Sequence, residues 1–341
     1  MRRSLLKAGL MILSLSLPMS RVAMAANITK PVLTVLAPTG MLDHAAVAEF
    51  EKIKNCYVKV EFFSNRSEVE LKVKTNPRYW DVVIADEARL SRLVLGKSIR
   101  PFPEGRVKSE QPRKGTLEGF TKVNEGGRMF VALMADPLGI VWRSQTRAAK
   151  TAPDWNWLVN ADLNPLWRSR IALPPDPRFQ FLIALKAKKV AVGDLDVSTG
   201  KAGIAWLLEA RKQAKADGSR LEWEFLSGRG VAAVAWMSDY MRMRRLVSGI
   251  EFAPPASGTF FERQGVALVA DSLHEELSTD FIEFLAQRKE ALAQFAGLIP
   301  LSTRTVLGSS VDGWTLFEDY VAFPSIIEAE LTKAVAPSVR N

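Results

Sequence analysis

The chain has 341 residues, of which 48% are hydrophobic and 24% charged, a balance that predicts a packed globular core and excludes an extended disordered chain. The formal net charge of +9 overstates the basicity of the main body, because Arg2, Arg3, Lys7 and Arg21 all lie in the first twenty-five residues. Cys56 is the only cysteine, so no intramolecular disulfide forms and stability rests on apolar burial.

Those first residues read as a secretory signal peptide. Arg2, Arg3 and Lys7 precede an apolar run from Ala8 to Leu17, and Ala23-Met24-Ala25 provides a small-x-small exit, so the mature chain is expected to begin at Ala26. The run is about half the length a bilayer requires, so it is expected to be removed rather than kept as a span. Arg2-Arg3-Ser4-Leu5-Leu6-Lys7 also approximates a twin-arginine signal, leaving both export routes open. The expected address is the periplasm. Export makes nucleic-acid chemistry a poor expectation, and the basic runs Arg242–Arg245 and Lys186–Lys189 lack interleaved aromatics. They read as solvated helix faces.

After the leader the chain alternates strands with helices. Val32–Leu36 reads as a strand, Leu42–Ile53 as a helix, Tyr57–Phe62 as a strand, Glu68–Lys74 as a helix and Asp81–Ala85 as a strand, with Leu90–Leu95 helical up to Gly96. Strands at such intervals with helices between them fit right-handed crossovers in a parallel sheet, so the fold class is α/β. The stretch Arg100–Gly127 is rich in Pro, Gly and charge and reads as a surface excursion. Two strands follow, Met129–Met134 and Leu138–Trp142, separated by Asp136-Pro137. Trp155–Val159 and Leu163–Trp167 read as short helices, Arg170–Leu173 as a strand, Phe179–Val192 and Lys201–Ala216 as helices. Leu221–Phe225, Val231–Trp236, Ile250–Ala253 and Gly265–Ala270 read as strands, Leu277–Ala286 and Glu290–Ala296 as helices, and Thr315–Val335 as a closing helix.

Several blocks resemble, in order and spacing, the spermidine/putrescine-type periplasmic solute-binding proteins of ABC importers. They are Trp80–Ile84, Gly139–Arg143 followed by Pro153–Leu158, Val234–Trp236, Gly265–Val269, Asp280–Leu285 and Gly297–Leu301. The resemblance implies a two-lobed fold with a mixed sheet and flanking helices in each lobe and a ligand cleft between them. It places residues 27–135 and 259–302 in one lobe and 136–258 and 303–341 in the other, with hinges near Ala135-Asp136 and Ser257-Gly258. It also implies an inner-membrane ABC permease as partner, a monomer in solution, and no cofactor.

Residue by residue the resemblance puts Asp176 and Trp236 at ligand-binding positions, where acids hold ammonium groups and rings enclose the chain between them. Elsewhere the chain departs from the family's pattern. Pro38-Thr39-Gly40-Met41 and Asp86-Glu87-Ala88 replace aromatic and hydroxyl-bearing loops, Phe179 stands where a second acid is expected, and Glu262-Arg263-Gln264 stand where a Trp and an Asp belong. The candidate ligand-binding residues are therefore Thr39, Asp86, Glu87, Asp176, Trp236, Glu262, Arg263 and Gln264. Each has a purely structural reading beside the functional one: Trp236 as core, Asp86, Glu87 and Asp176 as helix caps. Arg178, Glu262 and Arg263 are candidates for holding the ends of a zwitterion.

The functional expectation is a receptor for a small charged solute, an amine, polyamine-like or zwitterionic, delivered to a permease. The alternative is the same fold kept as a sensory subunit for a membrane signalling partner. An enzyme is not expected, since His44 and His274 are the only histidines and no metal-ligand spacing, nucleophile elbow or phosphate-binding glycine loop occurs. Ferric iron is a weaker expectation, because the four tyrosines include no adjacent pair.

Overall fold

The computed structural model describes residues 30–63, 68–107, 129–147, 151–160, 162–216, 218–303, 305–306, 309–311, 314–317 and 323–335. The leader read from the sequence lies outside them. Strand β1 (Val32–Pro38) lies parallel to both β2 (Tyr57–Phe63) and β3 (Val82–Asp86), with α1 (His44–Lys54) and α2 (Glu68–Thr75) in the crossovers. Local chemistry fixes the turns. Asp43 accepts the amide of Ala45 at the start of α1, and Asn55, at φ 49°, ends that helix in the left-handed conformation that Asn tolerates. Asp86 is at once the last residue of β3 and the cap of α3 (Glu87–Leu95), accepting the amide of Arg89 at 3.1 Å. A short β4 (Ile99–Arg100) follows.

The two strands expected around Asp136-Pro137 are one, β5 (Phe130–Arg143). Proline supplies no amide for a ladder, and here it falls where the strand changes partners, so it breaks no sheet. Up to Pro137, β5 runs antiparallel to β9 (Phe260–Val269) and touches β10 (Ile299–Pro300). From Leu138 it pairs antiparallel with β7 (Ala232–Trp236) and then also with β8 (Ile250–Ala253), while β6 (Ile171–Ala172) lies parallel to β7. β9 also pairs antiparallel with β3, so all ten of its residues are buried.

Helices cover both groups of strands. On the first, Phe50 of α1 meets Phe281 and Phe284 of α8 (Glu275–Gln287) at ring separations of 4.8 and 5.3 Å, beside α9 (Lys289–Ala296). On the second, Trp142, Trp157 and Trp167 meet one another edge-on or tilted, in one core with α4 (Pro177–Ala187) and α5 (Val197–Gln213). The segments bearing Trp155 and Trp167 are single 3-10 turns, and Trp155 donates its indole N–H to the Gly258 carbonyl at 3.0 Å. Trp157 and Trp167 likewise donate to the hydroxyls of Thr151 and Thr146, so these three indoles are buried with their one polar atom satisfied, whereas the Trp142 N–H has no partner among the described residues.

Two other expectations are corrected. Leu221–Phe225 is helical, within α6 (Leu221–Leu226): a strand would bury Leu221, Trp223 and Phe225 together, whereas Trp223 is 57% exposed and Leu221, Glu224 and Phe225 point inward, as helical spacing requires. The closing segment is not one helix. Its first residues form β13 (Thr315–Leu316), which adds parallel to β9 after a small hairpin of β11 (Thr305–Val306) and β12 (Ser309–Ser310) that precedes the expected helix. The helix proper, α10 (Ser325–Val335), starts after Pro324 and lays Ile327 over Gly200 of α5, where a side chain would collide. One helix begins earlier than expected: α7 (Met237–Met243) starts directly after β7, whereas only its basic end at Arg242 was read as helical. From Pro31 onward the chain forms one compact unit.

Candidate functional site

The strand hand-over in β5 creates a recess at the carboxyl ends of β1, β3 and β7, the end of a sheet at which α/β proteins hold ligands. Two adjoining cavities occupy it, and Asp239 of α7 borders both. The larger holds about 390 Å³ and the smaller about 50 Å³. The larger volume corresponds to roughly a dozen water molecules at liquid density, which suits a small solute.

An aromatic wall faces the larger cavity. Trp236, at the end of β7, stacks on Phe179 of α4 with ring centroids 5.8 Å apart and planes 17° from parallel. Phe317, following β13, meets Trp236 edge-on at 5.6 Å and Phe179 at 4.7 Å. Beside these rings Asp176 caps α4 through the Arg178 amide at 2.8 Å. Among the described residues that is the carboxylate's one hydrogen bond, so an exposed anion remains at the rim. Both readings of Asp176 hold together: it is a cap and it borders the cleft.

The strand alternation of β9 sorts the Glu262-Arg263-Gln264 triplet. Side chains two apart share a face, and Glu262 borders the larger cavity while Gln264 borders the smaller. Arg263 points to the other face, where it forms a two-pronged ion pair with Glu87, its Nε and a terminal nitrogen donating at 2.7 and 2.6 Å. Neither Glu87 nor Arg263 borders either cavity. Thr39 and Asp86 do border the smaller one; Thr39 donates its hydroxyl to the Phe63 carbonyl at 3.1 Å. Six of the eight candidates thus come together, and two brace each other behind the site. Arg178 is engaged away from the cleft by Glu328 and the ring of Phe323.

Sequence reading missed several lining residues. Arg89 and Arg92, one turn apart on α3, border the larger cavity; their spacing after Asp86 was a usable signal. Ser238, Asp239 and Arg242 reach the smaller cavity from α7. Arg242 binds Asp239 at 3.0 Å and also Glu222. Burial works to lower the Arg242 pKa, and these two carboxylates outweigh it, leaving it raised. The basic run is therefore solvated only in part, at Arg244 and Arg245. Nothing around Phe317 in the sequence marked it.

α7 is seated from several directions. Asp136, fully buried in β5, accepts the Ser238 amide at 2.9 Å and so caps α7 from a neighbouring strand. Met237 packs against the apolar cluster of the first group of strands, and Met241 covers Gly297.

The histidines lie elsewhere. His274 contacts Asp81 through Nδ1 at 3.2 Å, and Ser272 donates to the same carboxylate at 2.7 Å. Because the serine hydrogen goes to Asp81 and not to the imidazole, the group lacks the nucleophile–base bond of a triad. It also sits at the opposite end of β3 from Asp86, about 16 Å away along the strand. Among the described residues no group of three His, Cys, Asp or Glu side chains is arranged to hold a metal ion, and no helix is long and apolar enough to cross a membrane.

Comparison with known proteins bears on the family and the fold. The family model for bacterial extracellular solute-binding proteins matches residues 45–323. No curated protein matches the sequence. Among solved structures, the spermidine/putrescine ABC transporter substrate-binding protein PotD from Streptococcus pneumoniae, in complex with calcium and HEPES, superposes with a TM-score of 0.70 at 13% identity, over 89% of this chain and 97% of that one. The TpPotD lipoprotein of Treponema pallidum gives 0.66 at 14% identity over 89% and 99%. The binding protein AgtB of A. tumefaciens R10, in complex with agropinic acid, gives 0.57 at 15% identity over 80% and 83%. At these identities the likeness establishes the fold.

Proposed function

The chain belongs to the bacterial extracellular solute-binding proteins, and from that premise we propose that it captures a small charged solute in the cleft beneath Trp236 and hands it to an ABC-type permease in the inner membrane. One observation carries the reading. An aromatic wall of Trp236, Phe179 and Phe317 stands beside Asp176 and the buried Glu262 in a cavity about 390 Å³ in volume. A cation against a ring face is attracted by the ring quadrupole, and carboxylates beside it supply the countercharge.

Capture works by closure of two lobes, residues 27–135 with 259–302 and residues 136–258 with 303–341, about hinges near Asp136 and Gly258. The change of partners within β5 at Pro137–Leu138 supports the first hinge, and the loop joining β8 to β9 supports the second. The leader Met1–Ala25 directs export, so the working compartment is the periplasm, with the protein a monomer. The solute is released unchanged, since no nucleophile–base pair adjoins the cleft among the described residues.

The test is thermal unfolding of ligand-stripped, refolded protein with and without the solutes extracted from natively purified protein. A ligand at about a thousand times its Kd adds about 4 kcal/mol. With roughly 2.1 cal/mol/K per residue of unfolding entropy over about 300 residues, that is a rise of about 6 °C. No rise with any fraction would reject the reading.

A further inference from the structure

The charges in the cleft come in two opposed sets. Asp176 and Trp236 belong to elements packed on the second group of strands, whereas Arg89 and Arg92 project from α3, packed on the first. Taking both cavities together, the lining carries four carboxylates, Asp86, Asp176, Asp239 and Glu262, against three guanidiniums, Arg89, Arg92 and Arg242. Two of those carboxylates are already matched, Asp86 by Arg89 at 3.4 Å and Asp239 by Arg242 at 3.0 Å, and Arg92 reaches Glu70, outside the cavities, with one terminal nitrogen at 3.0 Å while its side chain stays 46% exposed.

A receptor for a diamine gathers excess negative charge, because each ammonium that leaves water needs its own anion. This cleft has near balance instead, with Phe179 rather than an acid behind Trp236. A polycation would meet Asp176 on one side and the α3 arginines on the other. We infer that the solute is a zwitterion, resting on the receptor reading above: its ammonium lies between Asp176 and the Trp236–Phe179 rings, and its acidic group meets Arg89 and Arg92. Arginine suits the second role because its planar fork matches a carboxylate two-pronged. Such a solute bridges elements from both groups of strands, so each of its charged ends contributes to closure.

The probes are δ-aminovalerate, cadaverine and glutarate, which share a five-carbon chain and differ in end charge. They are titrated by calorimetry into stripped wild type, Arg92→Gln and Asp176→Asn. Arg92 is the variant of choice because its side chain is 46% exposed, so that losing its surface pair with Glu70 costs little, and because its loss leaves Asp86 matched by Arg89. The zwitterion is expected to bind more tightly than either relative. Arg92→Gln is expected to weaken δ-aminovalerate at least tenfold, while leaving cadaverine unchanged or tighter, a reversal that general damage to the fold would not produce. Cadaverine binding wild type as tightly as δ-aminovalerate, or Arg92→Gln weakening both alike, overturns the inference. If all three are silent, the solute retained by natively purified protein decides. A retained molecule with both an amino and an acidic group supports the inference, and one lacking either overturns it while leaving the receptor reading intact. Silence with nothing retained overturns both.

Discussion

Replacing Glu87 separates a brace from a ligand contact. Arg263 is 2% exposed, and its fork is filled by Glu87 at 2.6 and 2.7 Å. Glu87→Gln keeps the shape and removes the anion, leaving a buried guanidinium without its countercharge. Removing one partner of a buried pair costs about 3–5 kcal/mol. With about 0.6 kcal/mol per degree for roughly 300 folded residues, the melting temperature falls by about 5–8 °C. Exchanging both partners for apolar residues, Glu87→Leu with Arg263→Met, removes the charge and its countercharge together and recovers most of that loss. The assay is thermal unfolding followed by calorimetry on the same samples. Solute affinity is expected to stay within a few-fold in the double variant, since neither side chain borders the cavities. The reasoning is refuted if Glu87→Gln abolishes binding while its melting temperature stays at the wild-type value, for then Glu87 touches the solute.

Two further outcomes follow from packing and charge. Gly297 sits at φ 69°, and a methyl group there would stand 2.0 Å from the Met241 terminal carbon, so Gly297→Ala costs about 1–2 kcal/mol in backbone strain and forces the Met241 side chain off the glycine it covers, loosening that contact of α7. Binding is expected to weaken in Gly297→Ala and to recover when Met241→Ala is added, a coupling of roughly 0.5–3 kcal/mol in a double-mutant cycle; simple additivity would show that Met241 does not hold α7 in place. Glu283 binds Arg106 at 3.0 Å and accepts the Val107 amide at 2.7 Å, tying the segment after β4 to α8, and these bonds, Arg106 first, hold its carboxyl below the ordinary 4.5. A depressed pKa contributes stability above the ordinary value that disappears as pH falls through the depressed one. Wild type is therefore expected to melt above Glu283→Gln at neutral pH and to converge with it in acid below pH 4.5; a gap that persists or widens there contradicts the assignment.

The first three strands were legible because β1 and β3 are short, apolar and followed by helices that Asp43 and Asp86 cap, and because β2 alternates along its length. Asp43, Asp86, Asp176 and Asp196 all accept amides at helix starts. It misled where a residue's local meaning depends on distant partners. Pro137 looked like a break and falls instead at a change of neighbours, which no local pattern encodes. Leu221–Phe225 alternates on paper, and only the exposure of Trp223 settles it as helix. In the site, Asp176 and Trp236 were legible through resemblance and the order of elements. The pairing of Arg263 with Glu87 was not, because it joins residues 176 apart, although strand alternation separates Arg263 from its neighbours. Of α7 only the basic end at Arg242 was legible, since its polar residues are satisfied by Asp136, Glu222 and one another rather than marked by a periodic apolar face.

The most direct test of solute capture is native mass spectrometry of protein purified without denaturation, alongside a variant carrying Trp236→Ala and Asp176→Asn. Trp236 is 8% exposed, so circular dichroism must first show that the variant is folded. The account predicts one small molecule per wild-type chain, absent from the folded variant. An equal adduct on both proteins would place the solute elsewhere and contradict the account.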